Sequence, residues 1–168
     1  LVEESYARGE YDFLRDVLLK KCSTLKIFGW RYDGYVARLN SVSSFFSHNM
    51  ALLEPAVRQD LFNRERPVYT KVKDEVSARY GADAEVRNAM LADGCDIDGR
   101  VENSILFRGV RVGRGAIVRN SILMQGVTVG DGCVLDHVVL DKGAVLRDGR
   151  TIVGYEGFPI ILKKNAVV

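Results

Sequence analysis

The chain has 168 residues, enough to bury a hydrophobic core as one domain or as two small ones. Its 24 Lys and Arg residues nearly balance 22 Asp and Glu residues, which argues against a nucleic-acid-binding domain, since such domains are strongly basic. No apolar run approaches the ~18 residues that cross a bilayer, and no secretory signal pattern is visible. The three cysteines have no CxxC spacing, so they indicate neither a zinc site nor a disulfide framework and favour a reducing, cytoplasmic setting.

The first forty residues predict a mixture of helix and short strands. The chain begins at Leu1, without Met and already within a helical pattern, so we expect it to be a piece of a longer protein. Residues 1–21 predict one amphipathic helix with Phe13, Leu14, Val17 and Leu18 on its apolar face. Residues 22–38 predict two short strands, with turns at Gly29 and at Asp33-Gly34.

Two further helices and a connector are predicted before the second half of the chain. Ser41 is the expected start of one helix, whose apolar stripe is Val42, Phe45, Phe46, Met50 and Leu53. Pro55 suits the first turn of the next helix, with Val57, Leu61 and Phe62 expected to face inward. We therefore expect residues 1–62 to be the mostly helical end of a larger domain whose front half is missing, 63–83 to be a charged connector, and 84–168 to form a separate β-structure.

That β-structure is predicted by an internal repeat. Three copies of equal length begin at Leu106, Leu123 and Leu140, and a slightly shorter copy that begins at Leu91 precedes them. Within each full copy the aliphatic positions recur at intervals of six, six and five. This spacing predicts three short strands per coil, with equivalent aliphatic residues stacked in ladders inside a triangular prism.

The corners of the coils identify the handedness and length of the prism. A glycine, which reaches positive φ without a Cβ clash, recurs at the fourth place of most hexads: Gly94, Gly109, Gly115, Gly126, Gly132, Gly143 and Gly149. The next position must point inward and be small: Cys95, Val110, Ala116, Val127, Cys133 and Ala144. The sequence predicts a mainly β fold, a single-stranded left-handed parallel β-helix of about four coils between 84 and 155. We expect irregularity at Arg150 and a last rung at 162–167 with Asn165 at its corner.

No catalytic or metal-binding constellation emerges from the candidate residues. Cys95 and Cys133 occupy the small inward slot, which favours packing over chemistry. His137 falls at the corner that Asn103 and Asn120 occupy in earlier coils. Hexapeptide acyltransferases use a histidine on such a prism together with a protruding loop, and these copies contain no insertion, so a corner role is favoured. His48 is expected on a helix, exposed or partly packed, and no residue is predicted to be catalytic, cofactor-binding or metal-ligating.

A basic column is the strongest candidate for a binding site. Stacking by one full copy places Gln125 above Arg108 and Lys142 above Gln125, and Lys164 joins them if the last rung continues the stack. Two interpretations stay open: a solvated basic face, or a site for a phosphorylated effector. The same stacking predicts solvated pairs of Arg114 with Asp131 and of Arg119 with Asp136.

Three stretches together resemble one enzyme family. NSILFRGVRVGRGAIVRNSILMQGVTVG (103–130) closely resembles the C-terminal β-helix of bacterial glucose-1-phosphate adenylyltransferases, which make ADP-glucose from ATP and glucose 1-phosphate for glycogen synthesis. GYVARLNSVSSFFSHNMALL (34–53) and RPVYTKVKDE (66–75) resemble the end of the family's catalytic domain and its connector. The resemblance implies that residues 1–62 are the helical remnant of a truncated α/β nucleotidyltransferase domain. It also implies that Mg²⁺ and ATP belong to this catalytic domain, whose Gly-rich nucleotide loop is absent from this chain.

One departure from the family pattern narrows the resemblance. Arg38 stands where the family has an Asp that helps hold the catalytic metal, and Asn40 and Ser41 replace Gly-Thr. This pattern resembles the non-catalytic GlgD-type companion subunit. The resemblance implies a regulatory and assembly region with a catalytic adenylyltransferase subunit or a second copy as partner. The alternatives are the same region of a catalytic subunit, a hexapeptide acyltransferase, and a structural adaptor.

Overall fold

The computed structural model describes residues 1–70 and 72–168 and divides the chain into two compact units, 1–34 and 35–168. The first unit contains a short helix α1 (Val2–Ala7) and a π-helix (Phe13–Leu19). Gly9 follows α1 with a φ of 73°, a left-handed conformation that ends a helix. The predicted continuous helix over 1–21 is therefore wrong. Val17 is buried, whereas Phe13 and Leu14 are exposed.

The two strands predicted between residues 22 and 38 are also wrong. This segment is described throughout and contains no strand. Its aromatic residues contact each other locally, with Trp30 and Tyr32 ring centroids 5.8 Å apart. Trp30 is 84% exposed, so the segment does not bury its apolar residues as a paired strand would.

The second unit begins with the two helices predicted for it, α2 (Val42–Ala51) and α3 (Pro55–Leu61). Ser41 and Ser44 form a capping box at the start of α2, and Arg58 of α3 donates to the Leu52 carbonyl (2.8 Å) at its end. Both helices are confirmed. The inward face predicted for α3 is wrong at Leu61 and Phe62, which are exposed, while Val57 is partly buried.

The rest of the second unit is a parallel β-helix of short strands. The strands are β1 (Arg79–Tyr80), β2 (Glu85–Leu91), β3 (Asp96–Ile97), β4 (Arg100–Leu106), β5 (Arg111–Val112), β6 (Ile117–Arg119), β7 (Ile122–Leu123), β8 (Thr128–Val129), β9 (Val134–Asp136), β10 (Val138–Leu140), β11 (Val145–Leu146), β12 (Thr151–Val153) and β13 (Ile160–Leu162). Face 1 consists of β1, β3, β5, β8 and β11. Face 2 contains β6, β9 and β12, and face 3 contains β7, β10 and β13. The longer strands β2 and β4 run through both of these faces.

The register of the coils follows the predicted repeat. Leu106 pairs with Leu123, and Leu123 with Leu140, so the predicted inner ladder is confirmed. The small inward residues are all buried, and the corner glycines have φ between 64° and 74°. The chain therefore forms the mainly β, left-handed parallel β-helix of hexapeptide repeats, and its core lies inside the prism.

The two ends of the β-helix differ from the regular coil. Strand β1 already stacks on β3, and the predicted domain boundaries at 62 and 83 stay predictions. Strand β12 stays in register on β9 beyond Arg150, so the coil becomes irregular at Gly154 instead. Leu140 pairs with Leu162 on its upper side. The interval from Leu140 to Leu162 is longer than the interval from Leu123 to Leu140, so a loop is inserted at 154–159.

The expectation that no coil carries an insertion is therefore wrong. The predicted last rung is confirmed above this loop, since Val145 forms a parallel bridge with Val167. Asn165 lies at its corner with a φ of 57°, as expected.

Candidate functional site

Face 3 carries an apolar column on its outer surface. Strand pairing aligns five residues that alternate with the inward leucines: Met90, Ile105, Ile122, Val139 and Ile161. The corresponding outward positions of face 1 include Asp96, Arg111 and Thr128, which are polar. Face 3 is therefore the side of the prism suited to bind another apolar element.

Helix α2 covers the middle of that column. Phe46 of α2 forms a buried cluster with Ile122 and Val139, and Phe45, Met50, Phe107 and Met124 pack around it. Burying a side chain of this size contributes roughly 1.5–3 kcal/mol. The tripeptides Ser-Ile-Leu (twice), Val-Val-Leu and Ile-Ile-Leu, which end in the inner leucines, were the sequence signal for this outward column. We did not predict this outward column because the repeat was used to predict only the ladder of inward-facing residues.

An asparagine ladder follows one corner of the prism. Asn88, Asn103 and Asn120 have φ between 44° and 46°, and His137 continues their row at 51°. The Asn88 side-chain amide donates to Asn103 (2.8 Å), and Asn120 donates to Asp136 (2.9 Å). Asparagine tolerates this left-handed conformation, so the asparagines of the ladder can form the corners where no glycine is present.

Two buried serines stabilise the same corner from inside the prism. The Ser104 hydroxyl donates to the Glu102 carbonyl (2.7 Å) and accepts from the Ser121 backbone N–H (3.1 Å). Ser121 repeats this arrangement with the carbonyl of Arg119 and the N–H of Val138. Both serines are fully buried with satisfied hydroxyls, so they stabilise the corner.

His137 lies between this corner and helix α2. Its Nδ1 is 2.7 Å from Asp136 Oδ1, and its ring centroid is 6.0 Å from that of Phe46. The side chain is 24% exposed. Asp136 also accepts from Asn120 and contacts the guanidinium of Arg119 at 3.5 Å, which is one of the two predicted cross-coil pairs. These contacts fit the corner role expected for His137.

The basic column follows the predicted order, with an acidic residue below it. Backbone hydrogen bonds join Gly126 to Arg108, Gly143 to Gln125 and Asn165 to Lys142, which stacks Arg108, Gln125, Lys142 and Lys164 in successive coils. The Gly109 N–H bonds to the carbonyl of Asp93, so Asp93 lies one coil below Arg108. An acidic residue therefore lies below the column, in the shorter first copy, which the predicted stack did not include.

Within residues 1–70 and 72–168, no ion pair within 4.0 Å involves Arg108, Lys142 or Lys164. Arg108 is half-buried, and the two lysines are exposed. Whether this column binds an anion stays a prediction.

The second predicted cross-coil pair has a different geometry. Asp131 accepts a hydrogen bond from the backbone N–H of Arg114 (2.8 Å), and its own N–H donates to Asp148 (2.9 Å). The predicted side-chain pair of Arg114 with Asp131 is therefore wrong. A short carboxylate beside a tight corner reaches the backbone donor of the neighbouring coil and satisfies it there.

The segment before α2 holds the residues that depart from the adenylyltransferase pattern. Arg38 is exposed, and the side-chain carbonyl of Asn40 accepts from the Ser44 hydroxyl (3.2 Å) beside the helix cap. Tyr35 fixes this segment, since its hydroxyl lies 2.8 Å from His48 Nδ1 and its N–H donates to Asp60 (2.7 Å). A divalent cation prefers oxygen ligands, and the guanidinium of Arg38 repels it, so these residues do not fit the metal that the resemblance implies for this position.

The cysteines act as packing residues, as predicted. Cys95 and Cys133 are buried, and their thiols donate to the carbonyls of Phe107 (3.2 Å) and Arg147 (3.1 Å). Burial raises the pKa of the Cys95 thiol, which opposes thiolate formation. Cys22 is exposed. The described ranges contain no group of three or more His, Cys, Asp or Glu side chains placed to hold a metal ion. They also contain no helix long and apolar enough to cross a membrane.

Comparison with known proteins agrees with this fold and with the resemblance stated above. The chain is 42% identical to the glycogen biosynthesis protein GlgD of Bacillus subtilis (strain 168) over 105 residues, 62% of this chain and 31% of that protein. It is 50% identical to GlgD of Geobacillus stearothermophilus over 70 residues, 42% of this chain and 20% of that protein. Glucose-1-phosphate adenylyltransferase of Geobacillus stearothermophilus is 31% identical over 119 residues, 70% of this chain and 31% of the enzyme.

The chain thus spans between a fifth and a third of the length of these relatives. The family model described as GlmU-like, C-terminal hexapeptide, matches residues 72–157, which are half of the chain and most of its β-helix. The chain therefore belongs to the GlmU-like C-terminal hexapeptide family.

Proposed function

We propose that this chain is the regulatory and assembly region of a non-catalytic, GlgD-type companion subunit in bacterial glycogen biosynthesis, working in the cytoplasm. The observation that carries the proposal is Arg38, an exposed cation just ahead of α2 where a catalytic subunit would place a metal-binding carboxylate. The neighbouring Asn40 and Ser41 side chains are used in the cap of α2.

The similarity to relatives supports the companion subunit over the catalytic one. The two GlgD proteins are 42% and 50% identical to the chain, against 30% and 31% for the adenylyltransferases of Thermosipho africanus (strain TCF52B) and Geobacillus stearothermophilus. In this proposal the catalytic partner forms ADP-glucose from ATP and glucose 1-phosphate, with Mg²⁺. The present chain supplies a rigid β-helix and the docked helix α2 for assembly.

The packing of His137 supports the same choice against an acyltransferase. Its ring lies against Phe46 of helix α2, which covers face 3, and only 24% of its side chain is exposed. The inserted loop at 154–159 begins one coil above His137, and its exposed side chains are Tyr155, Glu156 and Phe158. A catalytic histidine must reach an open acceptor site, and the helix beside His137 restricts that access.

The test combines this chain with the glucose-1-phosphate adenylyltransferase of Geobacillus stearothermophilus. We expect the purified chain to co-sediment with that enzyme and to change its rate of pyrophosphate release from ATP and glucose 1-phosphate. The chain alone should release none, with Mg²⁺ present. ADP-glucose formation by the chain alone would contradict the non-catalytic role, and failure to co-sediment at about 100 µM would refute the assembly role.

We also propose that the basic column of Arg108, Lys142 and Lys164 takes part in regulation by a phosphorylated effector. Arg108 and Lys142 lie two coils apart, about 10 Å, with Gln125 between them. Cations at this separation form charge-assisted hydrogen bonds to separate oxygens of a phosphorylated metabolite. An open, exposed column gives weak and salt-sensitive binding, which agrees with an effector site completed by other parts of the assembly.

A further inference from the structure

The first unit contains a small cavity of about 230 Å³. Its wall consists of residues from α1, the following turn and the π-helix: Val2, Ser5, Tyr6, Glu10, Tyr11, Phe13 and Val17. The turn closes because the Ser5 carbonyl accepts hydrogen bonds from the N–H groups of Arg8 (3.1 Å) and Glu10 (2.9 Å). This backbone arrangement holds Ser5 and Glu10 side by side on the wall of the cavity.

The hydroxyl of Ser5 is the first unusual group of this wall. Ser5 is 3% exposed, and its Oγ has no hydrogen-bond partner among the described residues. A buried hydroxyl without a partner costs free energy, so native structures seldom leave one unsatisfied without a reason. Ser5 lines the cavity, which is the space from which a partner can reach this hydroxyl. A ligand with a hydrogen-bonding group at this place would satisfy it.

The carboxylate of Glu10 supplies an acceptor to the same wall. Its Oε1 accepts from Lys20 Nζ (3.0 Å), whereas Oε2 is buried without a hydrogen bond and lies 3.4 Å from Arg8 Nε. The hydrogen bond from Lys20 lowers the pKa of Glu10, so the carboxylate is ionised at neutral pH and can only accept. A ligand of this cavity must therefore bring a hydrogen-bond donor to Oε2.

The charged groups next to Glu10 cancel, which favours a neutral ligand. Lys20 also pairs with Asp16 (3.0 Å), and Arg8 adjoins Glu10, so two cations face two carboxylates. An ion gains little net attraction from such a balanced set. Size is a second limit, because cavities for drug-sized ligands measure about 300–1,000 Å³. The smaller volume of this cavity suits a single small ring.

Aromatic side chains line the same cavity. The rings of Tyr6 and Tyr11 lie edge to face, with centroids 5.7 Å apart and planes at 71° to each other. Tyr6, Tyr11 and Phe13 are each more than half exposed. Aromatic rings in this arrangement offer apolar faces to the C–H groups of a ligand, while the tyrosine hydroxyls stay in water. The cavity thus combines apolar surfaces with two unsatisfied polar atoms.

We propose that this cavity binds one neutral sugar ring. A pyranose has apolar C–H faces, which fit the aromatic side chains, and neighbouring hydroxyls, which can donate to Glu10 Oε2 and pair with the Ser5 hydroxyl. A purely apolar ligand would leave both polar atoms unsatisfied, and an acyclic polyol lacks a rigid face for Tyr6 and Tyr11. The proposal does not depend on the function proposed above, and the cavity lies in a different unit from the basic column.

The first test is a titration of the isotope-labelled chain with glucose, followed by NMR. The backbone amides of Ser5, Glu10 and Tyr11 should shift saturably. The dissociation constant should be in the millimolar range, because a ligand of about a dozen non-hydrogen atoms makes few contacts. Sorbitol, which has similar hydroxyls but no ring, should bind at least about fivefold more weakly. Absence of saturable shifts at about 100 mM glucose, or equal binding of sorbitol, would overturn the proposal.

Two variants distinguish a ligand-binding role from a structural one. Ser5→Ala and Tyr11→Leu should each raise the dissociation constant for glucose at least about fivefold. Ser5→Ala should not lower the melting temperature of the free chain, because its hydroxyl has no partner to lose. Thr24→Ala is the matched control for the hydroxyl, since Thr24 donates to the Lys21 carbonyl (3.1 Å), and the exposed Tyr69 provides Tyr69→Leu as the control for the ring. Both controls should bind glucose as the unmodified chain does. A lower melting temperature of Ser5→Ala with unchanged glucose binding would show a structural hydroxyl and overturn the proposal.

Charged ligands test the preference for a neutral ring. Glucose 1-phosphate should bind this cavity no more tightly than glucose, because the paired charges beside Glu10 offer no net cation. Tetramethylammonium should leave the amides of Ser5 and Tyr11 unshifted. Tighter binding of glucose 1-phosphate at these amides, or shifts with tetramethylammonium but not with glucose, would indicate a site for an ion and exclude the neutral ring.

Discussion

Nδ1 of His137 lies 2.7 Å from Oδ1 of Asp136, at a corner where three preceding coils use asparagine. The φ of 51° at His137 is one that asparagine adopts readily and β-branched residues avoid. We therefore expect His137→Asn to retain the fold with a loss below about 1 kcal/mol, and His137→Val to lose about 1–2 kcal/mol more. Urea unfolding measures both variants, and equal losses would contradict a backbone role for this corner.

The corner at Gly126 allows a cleaner measurement of the same strain. Its φ is 68°, and an added Cβ would meet no atom within 4 Å, so a substitution there is penalised by backbone conformation alone. Gly126→Val should cost on the order of 1–2 kcal/mol, and Gly126→Asn clearly less. Thermal melts that show no loss for Gly126→Val would count against this register.

Docking of α2 on face 3 should depend on Phe46. Truncating a buried phenylalanine typically lowers the free energy of unfolding by about 3–5 kcal/mol. Here the truncation removes the contacts of Phe46 with Ile122 and Val139, which lie outside the prism. We expect Phe46→Ala to increase hydrogen exchange of the α2 amides, while the inner strands of the β-helix stay protected.

Ser47→Ala is the matched control for this measurement, because Ser47 lies on the exposed side of the same helix. It should leave the α2 amides as protected as in the unmodified chain. Uniform exchange across the β-helix in Phe46→Ala would show that α2 and the prism unfold together, contrary to this prediction.

The three cysteines should differ in their reactivity towards a thiol reagent. Cys22 is exposed, whereas Cys95 and Cys133 are buried, and burial raises the pKa of Cys95. The folded chain should react with one equivalent of a thiol reagent at neutral pH, and Cys22→Ser should abolish this reaction. In urea all three thiols should react. A second fast equivalent in the folded chain would mean that the β-helix opens near one of the inner cysteines.

The sequence predicted the β-helix well because its repeat sets the structure of each coil locally. Each corner position requires a residue that tolerates positive φ, and each inward position requires a small side chain. Asn165 was predicted correctly at its corner by the same rule. The loop at 154–159 was missed because Gly154 fits the corner that Asn120 and His137 occupy in earlier coils, although the chain leaves the coil there. The resemblance of residues 34–53 identified Arg38, which no periodic pattern would have singled out.

The first unit and the outer surfaces were predicted less well, for a different physical reason. Apolar residues such as Phe13, Leu61 and Phe62 suggested buried faces, yet all three are exposed. Periodicity shows which residues share a side of a helix, but it does not show whether another element covers that side. The same limit applies to face 3, whose covering helix α2 was predicted without its position on the prism.

The basic column gives the last prediction. Inorganic phosphate should raise the melting temperature of the chain at low salt, and Arg108→Ala/Lys142→Ala should remove most of this shift, because bound ligand stabilises the folded state. Arg111→Ala/Arg147→Ala is the matched control, since it removes two exposed arginines and leaves the column intact. Added sodium chloride at about 0.5 M should abolish the effect by screening. If both double variants respond to phosphate equally, the column of Arg108, Lys142 and Lys164 is only a solvated basic face.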